Sequence, residues 1–297
     1  MIAAASLQSR AMRARLRLLH VLAGLLLVTS LAGCAYLGDR QGELIFRPSR
    51  DVWWGYPASN LRFEDRWIAV GANGDRLHAF WAAAEDPAAP ALLYLHGARW
   101  NLTGSINRIE RWRRMGFSVL AIDYRGFGQS TNVSPTEALS YEDAVAAWDY
   151  LARQAPDRKR YIVGHSLGGA IAAELALRRP EASGVVLEAT FTSIRDMVKR
   201  TAWGFLPVGV VLHQEFDTLA KIPQLKQPLL IVHGTEDRVV PFDMGERLYG
   251  AATAPKLFIR VEGGSHHNLS GVASDAYRAA LAELFGLSGS APSRPAS

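Results

Sequence analysis

Short apolar runs alternate with helix-spaced stretches along most of this chain, and no other feature limits its possible folds so strongly. Ala91 to Leu95, Ser118 to Asp123, Arg160 to Val163, Gly184 to Glu188, Pro228 to His233 and Lys256 to Val261 are strand-length runs of apolar and β-branched residues. Between them, Ile106 to Met115, Pro135 to Gln154 and Gly169 to Leu177 carry helical periodicity, followed by a helix from Phe242 and a closing one from about Ser274 to Phe285. Strands that are apolar on both faces, separated by helices, require a mostly parallel central sheet with helices on both faces. Two earlier runs, Leu61 to Val70 and Leu77 to Ala84, flank Gly71-Ala72-Asn73-Gly74-Asp75, a hairpin signal that predicts an antiparallel edge. Thr190 to about Lys221 interrupts the alternation with Phe191, Met197, Trp203, Phe205 and other apolar residues. It reads either as a short helical lid or as a decorated crossover.

With 297 residues, 49% hydrophobic and 21% charged, the chain can fill one large core. A single cysteine rules out an intrachain disulfide and a cysteine-based zinc site. The net charge of +5 comes mainly from Arg10, Arg13, Arg15 and Arg17; without them 29 basic residues face 28 acidic ones. No nucleic-acid surface is therefore expected. No G-x-G-x-x-G follows a strand and no H-E-x-x-H occurs, so neither a cofactor nor a metal is expected.

The first 33 residues read as a targeting segment. A basic stretch leads into Val21 to Leu31, about half the length of a membrane span, and then Leu31-Ala32-Gly33-Cys34. Small residues before a cysteine, after a short apolar core, resemble the signal of a bacterial lipoprotein. The resemblance implies cleavage before Cys34, lipidation of that residue and a stable membrane anchor. Ala35 in place of aspartate implies the outer membrane of a bacterial envelope, facing the periplasm. An uncleaved N-terminal anchor helix is the other reading, and Met12 is an alternative start. The expected division is a signal peptide over 1–33, a tether over 34–58, a folded domain over 59–286 with its lid near 190–221, and a flexible tail over 287–297. The Trp53-Trp54 pair in the tether packs on the domain or faces the membrane.

Gly164-His165-Ser166-Leu167-Gly168 sits between a predicted strand and a predicted helix. That context makes G-x-S-x-G a nucleophile elbow, with the serine on a sharp turn and the helix N-terminus aimed at developing negative charge. A glycine-rich turn with an N-capping serine is the plainer reading. A serine nucleophile needs a base, and the base needs an orienting acid. Asp237 follows the predicted strand ending at His233, and His266 follows the one ending at Val261, so both fall at the same sheet edge as Ser166. Glu236 and His267 adjoin them as rival candidates. Asp123, at another strand end, is expected to organise its own loop. His96, His165 and His233 are expected to be structural. Arg99 and Trp100 either line a substrate pocket or cap the surface.

Five motifs in order carry a family resemblance: Leu95-His96-Gly97-Ala98 with Asn101, Asp123 to Ser130, Gly164 to Gly168, Gly234 to Asp237, and Gly263 to His266. Residues from about 60 to 286 resemble an α/β-hydrolase of the serine-aminopeptidase-like branch. The resemblance implies the α/β-hydrolase fold with Ser166 as nucleophile, His266 as general base and acid, and Asp237 as orienting carboxylate. It also implies an oxyanion hole formed by the backbone N–H groups of Ala98 and Leu167. Ala98 stands where the family often has asparagine, which leaves a backbone donor intact. The expected activity is cleavage of a carboxylic ester or thioester of a small-molecule or lipid acyl substrate through an acyl-enzyme. A serine peptidase on the same triad and a non-catalytic envelope lipoprotein remain alternatives.

Overall fold

The computed structural model describes residues 40–52, 63–201 and 212–287, with six isolated positions between 20 and 33. Cys34, the Trp53-Trp54 pair, the tip of the proposed lid and most of the C-terminal tail lie outside the described residues.

Eight strands form one sheet. They are β1 (Glu64–Val70), β2 (Asp75–Ala82), β3 (Ala91–Leu95), β4 (Ser118–Ile122), β5 (Arg160–His165), β6 (Gly184–Glu188), β7 (Leu229–Gly234) and β8 (Lys256–Val261), in the spatial order β1-β2-β4-β3-β5-β6-β7-β8. β1 pairs antiparallel with β2, and β2 antiparallel with β4; every other pairing is parallel. The hairpin is thus the antiparallel edge that the turn residues predicted. β1 alternates in exposure, as an edge strand with one wet face must, whereas β3, β4, β6 and β7 are buried throughout.

Helices cover both faces. They are α1 (Leu102–Arg114), α2 (Glu137–Gln154), α3 (Leu167–Arg178), α4 (Ile194–Lys199), α5 (Thr218–Lys221), α6 (Phe242–Ala251), α7 (Leu269–Val272) and α8 (Ser274–Phe285). The two faces of each strand feed separate cores. Leu93, Leu95, Ile122 and Ile162 pack with Ala147, Trp148 and Leu151 of α2 and Ile171 of α3. Leu92, Tyr94, Tyr161 and Val163 pack with Ile109 and Trp112 of α1 and Tyr277, Leu281 and Phe285 of α8. α1 begins four residues before the apolar spacing predicts, because the Asn101 side chain accepts the Thr103 N–H as an N-cap.

Residues 40–52 lie within the stretch read from sequence as a tether, yet they dock on the domain. Residues 40–46 are helical, and Phe46 is fully buried, 5.7 Å from Phe216 and 6.2 Å from Phe127. The interrupting stretch after β6 carries α4 and α5, and its return limb is tied down by Glu137, whose carboxylate accepts the N–H groups of Glu215 and Phe216.

Candidate active site

Ser166 occupies the turn between β5 and α3 with φ 55° and ψ −120°. A non-glycine residue in left-handed backbone costs about 1–3 kcal/mol, so the surrounding structure must enforce it. It does. The Ser166 N–H donates to the Glu188 carbonyl at 2.8 Å, and the Ser166 carbonyl accepts the Gly169 N–H at 3.0 Å. Gly164 and Gly168 have no room for side chains. A Cβ would lie 2.2 Å from the Gly168 carbonyl in the first case and 2.0 Å from the Leu95 carbonyl in the second. The hydroxyl of Ser166 makes no capping bond to α3. The N-capping reading of this serine therefore has no bond behind it, and its oxygen stays available.

Asp237 and His266 come together across 29 residues of sequence. His266 Nδ1 donates to Asp237 Oδ2 at 2.7 Å, with both side chains buried. The other carboxylate oxygen, Oδ1, accepts the N–H groups of Val239 and Val240, each at 2.8 Å. His233 Nε2 stands 3.5 Å from Oδ2 and 3.0 Å from the Val240 carbonyl. Burial works against charge on Asp237, but hydrogen bonds from His233 and His266, the His266 charge and the Val240 N–H outweigh it and hold the carboxyl well below its ordinary range. Glu236, by contrast, is exposed. His267 is exposed too, and its ring stacks on Trp100 at 4.9 Å. The geometry thus joins Asp237 with His266 and leaves both neighbours outside that bond. The Ser166 hydroxyl makes no hydrogen bond to a described residue, His266 included; in unliganded sites such contacts commonly tighten only with substrate.

His165 is more than local packing. Its Nε2 lies 2.9 Å from the His266 carbonyl, which can only accept, so Nε2 carries the proton. Burial, with the nearby charges of Arg108 and His266, pushes the His165 pKa well below the ordinary value and keeps the ring neutral. Arg108 of α1 donates to the His267 carbonyl at 3.3 Å. The elbow and α1 therefore both hold the backbone that carries His266. Sequence spacing gave no sign of Arg108, because its partners lie far away in the chain. His233 was legible as the residue four before Asp237, but its bond to that carboxylate was not.

The backbone N–H groups of Ala98 and Leu167 donate to no described residue. Both lie beside Ser166: Leu167 follows it, and the loop after β3 runs so close that a Cβ on Gly97 would stand 3.1 Å from the Ser166 Cβ. Two unspent donors next to a serine oxygen are what an oxyanion requires. A separate cavity of about 410 Å³ lies between the limbs of the interrupting stretch, lined by Arg195, Asp196, Glu215, Asp217 and Arg247 among others. Its acids are already matched: Glu215 with Arg195 at 2.6 Å, Asp196 with Arg247 at 3.0 Å, and Asp217 as the cap of Ala220.

Comparison with known proteins agrees with this architecture. A family model described as serine aminopeptidase, S33, matches residues 86–218. An uncharacterized protein of Mycobacterium tuberculosis is 32% identical over 259 residues, covering 86% of this chain and 90% of that protein. The lysophosphatidylserine lipase of Xenopus tropicalis is 33% identical over 190 residues, 58% of this chain and 48% of the lipase. The chain thus spans about half the length of that relative. An esterase of Pyrococcus furiosus superposes with a TM-score of 0.63 at 18% identity, covering 80% of this chain and 96% of the esterase. The chain belongs to the α/β-hydrolase superfamily, and within it to the serine-aminopeptidase-like family of serine hydrolases.

Proposed function

We propose that this protein is a membrane-tethered esterase that cleaves a carboxylic ester of a hydrophobic acyl chain through a Ser166–His266–Asp237 triad. The observation that carries the reading is the elbow itself. A strained serine whose hydroxyl bonds to no described residue adjoins two N–H groups that donate to no described residue, and the next-door His165 holds the backbone of a histidine bonded to a buried carboxylate. His266 takes the Ser166 proton as the oxygen attacks the acyl carbonyl. Asp237 holds the imidazole in the tautomer that leaves Nε2 able to accept. Ala98 and Leu167 stabilise the oxyanion, each contributing about 3 kcal/mol. The leaving alcohol takes the proton back from His266, and water then repeats the cycle on the acyl-enzyme.

An ester is favoured over a peptide. A peptidase recognising a free amino terminus needs an unpaired carboxylate to bind it, and the carboxylates that line the cavity between the limbs of the interrupting stretch are matched by arginines or a helix N-terminus. The lipase relative and the apolar sequence of the interrupting stretch support a lipid-like acyl group. The tether reading rests on Leu31-Ala32-Gly33-Cys34. Six peptide steps separate Cys34 from residue 40, a reach of about 20 Å at most, so a lipidated Cys34 would keep the catalytic mouth near the bilayer.

The test is a substrate panel with the full-length protein: p-nitrophenyl esters of rising chain length, monoacyl glycerophospholipids and aminoacyl p-nitroanilides. Esters should be cleaved and the activity lost in Ser166→Ala. Preferential cleavage of the anilides would establish the peptidase instead. Incorporation of a clickable fatty acid that persists in Cys34→Ser would refute the anchor.

A further inference from the structure

We propose that the N-terminal strap, residues 40–52, is part of the catalytic machinery: it sets the oxyanion loop, and Asn101 is the positioning residue through which it does so. The proposal rests on the reading of Ala98 as an oxyanion donor.

The loop from Gly97 to Leu102 is short, and three of its residues, Arg99, Asn101 and Leu102, are tied to groups outside it. Arg99 sits in left-handed backbone at φ 75° and donates its N–H to the Phe46 carbonyl at 2.7 Å. The residue before it, Ala98, donates its N–H to no described residue. The strap thus takes up the N–H next to the proposed oxyanion donor. Two residues on, the Asn101 amide Nδ2 donates to the carbonyls of Ser49 at 3.2 Å and Asp51 at 2.8 Å. Its Oδ1 meanwhile accepts the Thr103 N–H at 3.0 Å and starts α1. One side chain therefore fixes three bodies: the strap, the loop and the helix behind it. From the far side, Leu102 donates its N–H to Asp123 at 2.8 Å.

The strap is itself well held. Phe46 is fully buried against Phe127 and Phe216. The Ser49 carbonyl also accepts the Gly128 N–H at 2.9 Å, and Arg50 donates to the Ser130 carbonyl at 3.1 Å. Gln41 accepts the N–H groups of His213 and Gln214, at 2.8 and 3.3 Å, on the return limb of the interrupting stretch. Gly42 passes so near the Pro135 carbonyl that a Cβ would stand 2.1 Å from it. A passive spacer has no use for this set of contacts. A segment that fixes an N–H donor does, because a donor in an oxyanion hole works only at hydrogen-bond distance from the developing charge.

The deciding variant is Asn101→Asp in the full-length protein. Aspartate keeps the N-cap acceptor for Thr103, so α1 still starts. It cannot donate, and its carboxylate faces the Ser49 and Asp51 carbonyls. Hydrogen exchange of the Arg99 amide should accelerate at least tenfold. On a short p-nitrophenyl ester kcat should fall roughly ten- to a hundredfold, with KM within about threefold and the melting temperature nearly kept. Phe46→Leu, which keeps bulk but loses the ring contacts, should give the same split on a smaller scale and serves if the aspartate variant does not fold. Unchanged Arg99 exchange would overturn the proposed link. Accelerated exchange with an unchanged kcat would leave the strap merely structural and overturn the positioning role. A wild type inert towards esters, with Arg99 exchange still accelerated by the variant, would instead refute the esterase reading while keeping the link.

Discussion

Two carboxylates stand just past strands at the same edge of this sheet, each attended by two histidines. Asp237 follows β7 and has His266 at 2.7 Å and His233 at 3.5 Å. Asp123 follows β4 and has His96 at 3.4 Å and His78 at 3.7 Å. Both carboxyls are held below their ordinary pKa; burial opposes the charge in each, and histidine contacts outweigh it. The residue types, the burial and the sheet edge are shared. The difference is in what each trio is coupled to. The Asp237–His266 bond is short, and the His266 backbone is tethered to the elbow that carries Ser166. The Asp123 contacts are long, leaving His96 Nε2 and His78 Nδ1 without a hydrogen bond, while Asp123 accepts the N–H of Leu102 and His78 Nε2 turns outward to Asp65 at 2.6 Å. One trio is tied through His266 to the elbow that carries the proposed nucleophile, and the other accepts an N–H at the start of the helix that follows the proposed oxyanion loop. A carboxylate–histidine pair at a strand end is thus no signature of catalysis without a reacting atom beside it.

Paired substitutions can break that contrast. Asp237→Asn should lower kcat by about 10⁴-fold, because the imidazole loses the partner that sets its tautomer. Asp123→Asn should spare most of the activity, with kcat reduced less than tenfold, while leaving the buried His78 without its buried counter-charge at a cost of about 3 kcal/mol, or roughly 5–10 °C in melting temperature. If the two variants lost activity equally, the contrast would fail.

The histidines also separate the regions by pH. His165 beside the elbow has its pKa well below 6.5, because burial and the Arg108 charge disfavour its protonated form. Its contribution to stability is present above about pH 6.5 and lost as pH falls, with a slope approaching 1.4 kcal/mol per pH unit. His78 has a raised pKa; burial opposes its charge, but the Asp123 and Asp65 carboxylates favour it more. Its contribution is present below about pH 6.5 and lost as pH rises through its folded value. Urea midpoints measured against pH should therefore lose their acid limb in His165→Gln and their alkaline limb in His78→Gln. The smallest effect is expected at Glu236. The exposed Glu236→Gln should leave kcat within about twofold, which sharpens the assignment of the acid to its neighbour.

Much of this was legible in the chain. Apolar runs located the six strands β3 to β8, because buried parallel strands must be apolar on both faces, and Gly71 to Asp75 announced the edge hairpin of β1 and β2. The candidate site residues Ser166, Asp237 and His266 were legible as loop positions after strands, but their mutual contacts were not. What sequence could not supply was long-range contact between unlike segments. Phe46 meets Arg99, Asn101 meets Ser49 and Asp51, and His165 meets His266 only because the fold brings them together. No local periodicity encodes such pairs, so a stretch with Pro48 and mixed charge read as a tether although residues 40–52 dock on the domain. Spacing from the glycine pair favoured His266 over His267, and in the fold the two side chains part, one to Asp237 and the other to Trp100.

We propose that Ser166 is an activated nucleophile and that Asp123 and its histidines stand outside its relay. Peptide mapping by mass spectrometry after treatment with a fluorophosphonate tests it most directly. One modified serine is expected, Ser166, with labelling abolished in Ser166→Ala, sharply slowed in Asp237→Asn and largely kept in Asp123→Asn. Undiminished labelling of Ser166→Ala, or modification mapped to another serine, would contradict it.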